Sequence, residues 1–284
     1  MYPYDDRARL LRSESERIKQ YLHRLPADSW ARPSTCTQWQ VGDVVAHLIV
    51  VAEFYADSIS RGLAGENTPP MGRLPSGQSN AESSAQGIAQ RSIVLRNSLG
   101  DKLLPTYDTA DEQLNSLLTG LRPQERQMPC YHPGGLVAAQ NFMDLRLKEL
   151  ALHEWDIRSA LEPKAHLSAA SFPAVVENIS ESIASGSLRW AFWSGPSLPF
   201  QVRYRFVVAG LGPSKPDLVI DGVTVRMEEA ADATPHVTFR CDTETYLLLV
   251  YGRLPLDAAV TSKRLDVEGD SELASRFGQW FRGI

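Results

Sequence analysis

Arg146-Leu147-Lys148-Glu149-Leu150-Ala151-Leu152-His153-Glu154-Trp155-Asp156-Ile157 is the stretch on which the reading of this chain turns. It lies in a predicted helix over 136–161, entered after Pro133-Gly134-Gly135 and ended by Pro163. Residues four apart on a helix share a face with Cβ atoms about 6 Å apart, so Glu149 and His153 can grip one ion. At ~100° per residue that face also takes in Phe142, Leu145, Arg146, Leu152, Asp156 and Ala160, while Lys148, Glu154 and Arg158 turn away. Carboxylate, guanidinium and imidazole on the more apolar stripe are costly to bury unless they pair or hold a cation, which points to a site inside a helical bundle. An amphipathic helix with ordinary i,i+4 ion pairs carries the same spacing.

Outward from this helix, 5–25 places Leu10, Leu11, Ile18, Tyr21, Leu22 and Leu25 at helical spacing, and Pro26 ends it. A second helix over 41–61 has the stripe Val41, Val44, Val45, Leu48, Ala52 and Tyr55. His47 sits at the flank of that stripe beside Val44 and Val51, a place that suits a structural histidine as well as a ligand. The Gly-, Pro-, Ser- and Asn-rich stretch 62–85 is expected to be a long connection of the kind found over sites. Helical spacing over 85–120 is broken near Pro105. Four long helices make a bundle the natural arrangement.

After Ser168 a helix to about Trp193 is expected, then short β-rich runs at 202–209, 218–225 and 236–241, with Asp221-Gly222 as a hairpin signal. Segments 243–251 and 271–281 look helical again, the latter with Leu273, Phe277, Trp280 and Phe281 on one stripe. The fold class is therefore α plus α+β: a four-helix bundle over 1–165 and a small α+β domain over 166–284.

The chain has 284 residues, a formal net charge of −5 and no long Lys/Arg block, so it lacks the electrostatic footprint for nucleic acid or an anionic membrane surface. The start Met-Tyr-Pro-Tyr-Asp-Asp-Arg has no secretion-signal pattern, and no run approaches the ~18 apolar residues of a spanning helix, so the expected location is the cytoplasm. Cys36, Cys130 and Cys241 are too scattered for a disulfide framework and are expected to be buried or idle thiols. Cys130 and His132 are expected in a loop with exposed polar groups.

Two segments resemble a known family. Cys36-Thr37-Gln38-Trp39-Gln40-Val41-Gly42-Asp43-Val44-Val45-Ala46-His47-Leu48, together with the stretch quoted first, is similar to the motifs of mycothiol-dependent maleylpyruvate isomerases within the DinB/YfiT-like group. The resemblance implies a DinB-like metal-binding bundle and a C-terminal domain of sterol-carrier-like character. It implies a divalent ion, zinc by the donor types, on His47, Glu149 and His153. The family often has Gly where this chain has Gln38, and a basic residue where it has Gly42; neither position is a proposed ligand.

A His₂Glu set leaves one tetrahedral position open, as in catalytic zinc sites. The implied partners are a low-molecular-weight thiol of the mycothiol type and a small electrophile, and the implied chemistry is cis–trans isomerisation of a maleylpyruvate-like acid or S-transfer. Arg146 is the candidate catalytic residue, suited to pairing a carboxylate of substrate or thiol, or else to neutralising Asp156. Asp43 suits either orienting His47 or starting the second helix. Trp39 and Trp155 are expected to pack the bundle. The resemblance also implies an arginine of the C-terminal domain near the site, with Arg203, Arg205, Arg226 and Arg240 as candidates. From a different class, the layout suits a metal- or ligand-binding sensor or carrier, or a scaffold without an ion.

Overall fold

The computed structural model describes residues 3–75, 81–184, 195–211, 217–229 and 233–282. Its backbone forms two compact units, Met1–Asn178 and Ile179–Ile284.

The first unit begins with helix α1 (Tyr4–Leu22), whose first turn carries Asp5 and Asp6 and whose last carries Lys19, matching the helix dipole at both ends. Helix α2 (Val41–Leu63) follows a short 3-10 turn, then α3 (Ala81–Leu99) and α4 (Leu103–Thr119). The break between α3 and α4 falls at Gly100–Lys102 rather than near Pro105. Gly100 takes φ +52°, which only glycine adopts cheaply, whereas Pro105 sits in the first turn of α4, where its missing N–H bonds nothing anyway.

Strands β1 (Pro129–Cys130) and β2 (Val137–Ala138) pair antiparallel before α5 (Phe142–Leu161). The last bundle helix therefore starts six residues later than its sequence pattern suggested, because Val137 and Ala138 bond across to β1. Strand β1 lies so close to α2 that a Cβ on Gly62 would stand 2.4 Å from the Cys130 sulfur.

Helices α1, α2, α4 and α5 enclose one core in which Leu11, Ile18, Val44, Leu48, Leu114, Phe142 and Leu147 are fully buried. Helix α5 is covered on two sides, by α1 and by α2. Glu154, expected to turn outward, is consequently buried and paired with Arg17 of α1 and Arg158.

Helix α6 (Phe172–Ala184) spans the division between the units, and the rest of the helix expected as far as Trp193 lies outside the described residues. The second unit holds a five-stranded sheet of β3 (Val202–Ala209), β4 (Asp217–Asp221), β5 (Thr224–Glu228), β6 (Val237–Asp242) and β7 (Leu265–Gly269), in the order β5-β4-β3-β6-β7. β3 runs parallel to β6 and the other pairs are antiparallel. The hairpin joining β4 to β5 turns at Gly222 with φ +59°, as the Asp-Gly pair predicted.

Helices α7 (Thr243–Val250) and α9 (Ser271–Trp280) are capped by the Asp242 and Asp270 side chains, and α8 (Leu256–Thr261) lies between them in sequence. Tyr204, Phe206, Phe239, Tyr246 and Phe277 interlock at ring separations of 5.0–5.9 Å and fill the core of this unit. Among the described residues, no helix is long and apolar enough to cross a membrane.

Candidate metal centre

Helix α2 starts under a reciprocal cap in which the Gln40 N–H donates to the Asp43 carboxylate at 2.8 Å. The chain enters this helix through a turn that needs left-handed backbone at Gln38, φ +70°, at a cost on the order of 1 kcal/mol for a residue with a Cβ. That is the physical reason a glycine suits the position. Asp43 also pairs with Arg96 of α3 at 2.7 Å. It therefore serves the helix start, not the second nitrogen of His47. A Cβ on Gly42 would meet Arg96 Cδ at 2.9 Å, so Arg96 occupies the space a side chain there would need.

Nearly two turns into α2, His47 turns toward α5. Its Nε2 lies 3.2 Å from Glu149 Oε2, and His153 Nε2 lies 3.3 Å from the same oxygen. The other carboxylate oxygen, Oε1, is taken by Lys148 at 3.3 Å, so Lys148 does not turn away from the site as its helical position suggested. The two imidazoles meet edge to face with centroids 4.6 Å apart, and Trp39 lies 5.2 Å from His47 and 6.3 Å from His153. Both histidines are buried.

The three donor atoms lie within 4.8 Å of one another. With zinc bonds of about 2.05 Å, neighbouring donors in a tetrahedron stand about 3.3 Å apart, which the 3.2 and 3.3 Å separations match. The donor types and spacing thus fit a divalent ion. His47 Nδ1 is buried with no hydrogen-bond partner, so Nε2 is the nitrogen this residue commits.

Burial holds the His47 imidazole below its ordinary value, which favours the neutral ring a metal needs. Burial pushes Glu149 up, but Lys148 and the two imidazoles more than reverse this and hold it well below the usual carboxylate range. Burial also works against the charge on His153, yet Asp156, Cys36 and Glu149 hold its proton well above the usual range.

Asp156 supplies a contact that the sequence did not assign. Its Oδ2 lies 2.9 Å from His153 Nδ1, and its Oδ1 accepts from the Thr35 hydroxyl at 3.1 Å. A carboxylate behind a ligating imidazole fixes ring orientation and raises its basicity. The i,i+3 spacing from His153 was the available signal. Cys36, expected to be a buried or idle thiol, is buried, and it also clusters with His153 and Asp156 as a second group of possible ligands; its place three residues before Trp39 in the same motif was the clue.

Arg146 lies elsewhere. It has no exposed surface, and its guanidinium donates to Asp111 of α4 at 2.8 Å and to the Leu48 carbonyl of α2 at 3.1 Å. The acid it neutralises is Asp111, not Asp156. Cys130 is fully buried, as expected of a buried or idle thiol, but it lies in strand β1 rather than in a loop with exposed polar groups, and burial pushes its thiol up to about 11. His132 Nδ1 accepts from the Gly134 N–H at 3.1 Å. In the second unit, Arg203 and Arg205 pair with Asp217, Arg226 with Glu228 and Arg240 with Glu268.

Residues 11–158, more than half of the chain, match the family described as the mycothiol maleylpyruvate isomerase N-terminal domain. The chain belongs to this family. In this isomerase-family chain, residues 199–282 match the SCP-2 sterol transfer family. Over 89% of its length it resembles the crystal structure of a mycothiol-dependent maleylpyruvate isomerase, covering 90% of that chain with a TM-score of 0.59 and 15% identity. A His-to-Ala mutant of the mycothiol-dependent maleylpyruvate isomerase is matched over 94% of this chain and 93% of that one, with a TM-score of 0.62 and 14% identity. At these identities the likeness shows the isomerase fold in both units. None of the curated proteins matches the chain.

Proposed function

We propose that the chain is a metal-dependent enzyme that uses a low-molecular-weight thiol of the mycothiol type to process a small electrophile, by cis–trans isomerisation of a maleylpyruvate-like acid or by S-transfer. The observation that carries this reading is the convergence of His47 Nε2 and His153 Nε2 on one oxygen of Glu149 at tetrahedral donor spacing. Zinc is the ion we assign. Bound there with one position open, it would lower the pKa of a thiol so that the thiolate can add to an activated double bond, reversibly for isomerisation or finally for S-transfer.

The chain's own residues do the rest. His47 presents a neutral ring, Glu149 supplies the negative charge, and Asp156 holds His153 in the orientation that aims Nε2 at the site. Trp39 lies against both imidazoles and keeps water from that side. Arg146 takes a positioning role, tying α5 to α2 and α4 through Leu48 and Asp111. A cytoplasmic location is supported by the three free cysteines, which suit a reducing compartment.

Elemental analysis of protein purified without chelator tests the reading. Wild type should carry about one equivalent of zinc, because the two possible ligand groups share His153, and His153→Ala should carry none. Loaded wild type should then turn over maleylpyruvate or a related acceptor only when mycothiol is added. A wild type that gains no metal on zinc addition would overturn the enzyme reading in favour of a binding or scaffold role.

A further inference from the structure

Cys36 approaches the bundle from the stretch that leads into α2. Its N–H donates to the Ser34 hydroxyl at 3.2 Å, and its carbonyl accepts from the Trp39 N–H at 3.1 Å. This stretch is fastened to α5, because the Thr35 N–H donates to the Asp156 carbonyl at 3.2 Å and the Thr35 hydroxyl to the Asp156 carboxylate at 3.1 Å. The backbone around Cys36 is thus fixed against the helix that carries His153 and Asp156. Its thiol hydrogen-bonds His153, and the donor atoms of Cys36, His153 and Asp156 all lie within 4.8 Å of one another. All three residues are buried.

Buried free cysteines usually pack as small apolar side chains. Cys130 does so, with burial alone acting on its thiol. Cys36 instead faces an imidazole and a carboxylate, and among the described residues no other cysteine joins a group of possible ligands. Donors in a tetrahedron with a metal–sulfur bond of about 2.3 Å and a metal–nitrogen bond of about 2.05 Å stand about 3.6 Å apart, so small side-chain rotations would close these three on one ion. Charge favours a divalent one. A thiolate and a carboxylate together cancel two positive charges, whereas Glu149 supplies a single negative charge to the set it forms with His47 and His153, and net charge is costly to bury. Sulfur also makes the Cys36 set the softer of the two, suited to a thiophilic cation.

We propose that Cys36, His153 and Asp156 form a second metal site, for a thiophilic divalent cation, and that its occupation excludes zinc from His47 and Glu149. Both sets draw on His153, and two dications so close together would repel. On binding, the S–H bond of Cys36 breaks, a sulfur–metal bond forms and the proton leaves to solvent. The ion also takes Asp156 away from its place behind His153 Nδ1, which is what aims Nε2 at Glu149. Such an ion therefore displaces zinc without touching His47 or Glu149.

Cadmium is the probe, because a sulfur–cadmium bond absorbs in the ultraviolet and a nitrogen- or oxygen-bound ion does not. Titrated into the metal-free full chain, it should give this absorption in wild type and in Glu149→Gln, and give none in Cys36→Ser. Because Cys36→Ser could fail to fold, the double variant Cys130→Ala with Cys241→Ala, which leaves Cys36 as its single thiol, should keep the wild-type absorption. Added to zinc-loaded wild type, cadmium should release about one zinc for each ion bound, counted by elemental analysis after desalting. Absence of the absorption in wild type, its persistence in Cys36→Ser, its loss in Glu149→Gln or in the double variant, or protein that retains both metals together would overturn the proposal. The enzyme reading fails separately: wild type that shows the absorption but takes up no zinc keeps this site and loses the catalytic one.

Discussion

Glu149 Oε2 is shared by two imidazoles while Lys148 holds its sister oxygen, so a single carboxylate is oriented from three directions. Asp156 does the same for His153 from the opposite ring nitrogen. Removing such an outer partner typically costs 10–100-fold in metal affinity. Asp156→Ala should therefore bind zinc about 10–100-fold more weakly in competition with a chromophoric chelator, with the helical circular dichroism retained; wild-type affinity would show that His153 needs no such support. At this scale the helix period made Glu149, His153 and Asp156 visible as one face. Lys148 escaped that reading because a long side chain reaches around the helix to a neighbouring carboxylate, which the position of its Cβ does not reveal.

Among the helices, the joint that matters is Arg146 on α5 with Asp111 on α4, a pair with almost no exposed surface. Asp111 also accepts from Asn115 at 2.9 Å, so the carboxylate belongs to a buried polar knot between α1, α4 and α5. A buried ion pair adds little over an apolar pair of the same shape, but losing one partner strands the other charge. Asp111→Ala should accordingly cost about 3–5 kcal/mol in denaturant unfolding, whereas Asp111→Leu combined with Arg146→Met should recover most of it. A double variant that regains stability and keeps its zinc would fit positioning by Arg146; loss of zinc at regained stability would tie Arg146 to the metal site itself. The existence of the helices could be read from apolar spacing and proline, but their facing partners could not. Whether Glu154 points outward depends on α1 lying over that side of α5, a fact of packing that no helical wheel contains.

For the molecule as a whole, acid sensitivity is a readable consequence of its buried carboxylates. Burial pushes Glu14 up, but Arg17 and the Ser168 and Ser171 hydroxyls more than reverse it, leaving the folded-state pKa below the ordinary value. A depressed carboxylate contributes stability that is fully present above the unfolded pKa and is lost as pH falls through the folded one. Thermal melting should thus fall as pH drops below about 4.5, and Glu14→Gln should be less stable at neutral pH with a flatter acid profile. An unchanged profile in the variant would assign the acid loss to other groups.

The division of labour follows from distance along the chain. Periodicity, proline placement and the Asp-Gly turn are local, so the bundle helices, the hairpin and the α+β texture of the second half followed from the order of residues, as did the ligand pair one helical turn apart. Joining His47 to Glu149 crosses 102 residues, Arg146 to Asp111 crosses 35 and Ser171 to Glu14 crosses 157. The first of these contacts could be expected only through resemblance to a family. The others were decided by tertiary packing, because which buried charge meets which is settled by how helices cover one another and not by spacing along any one of them.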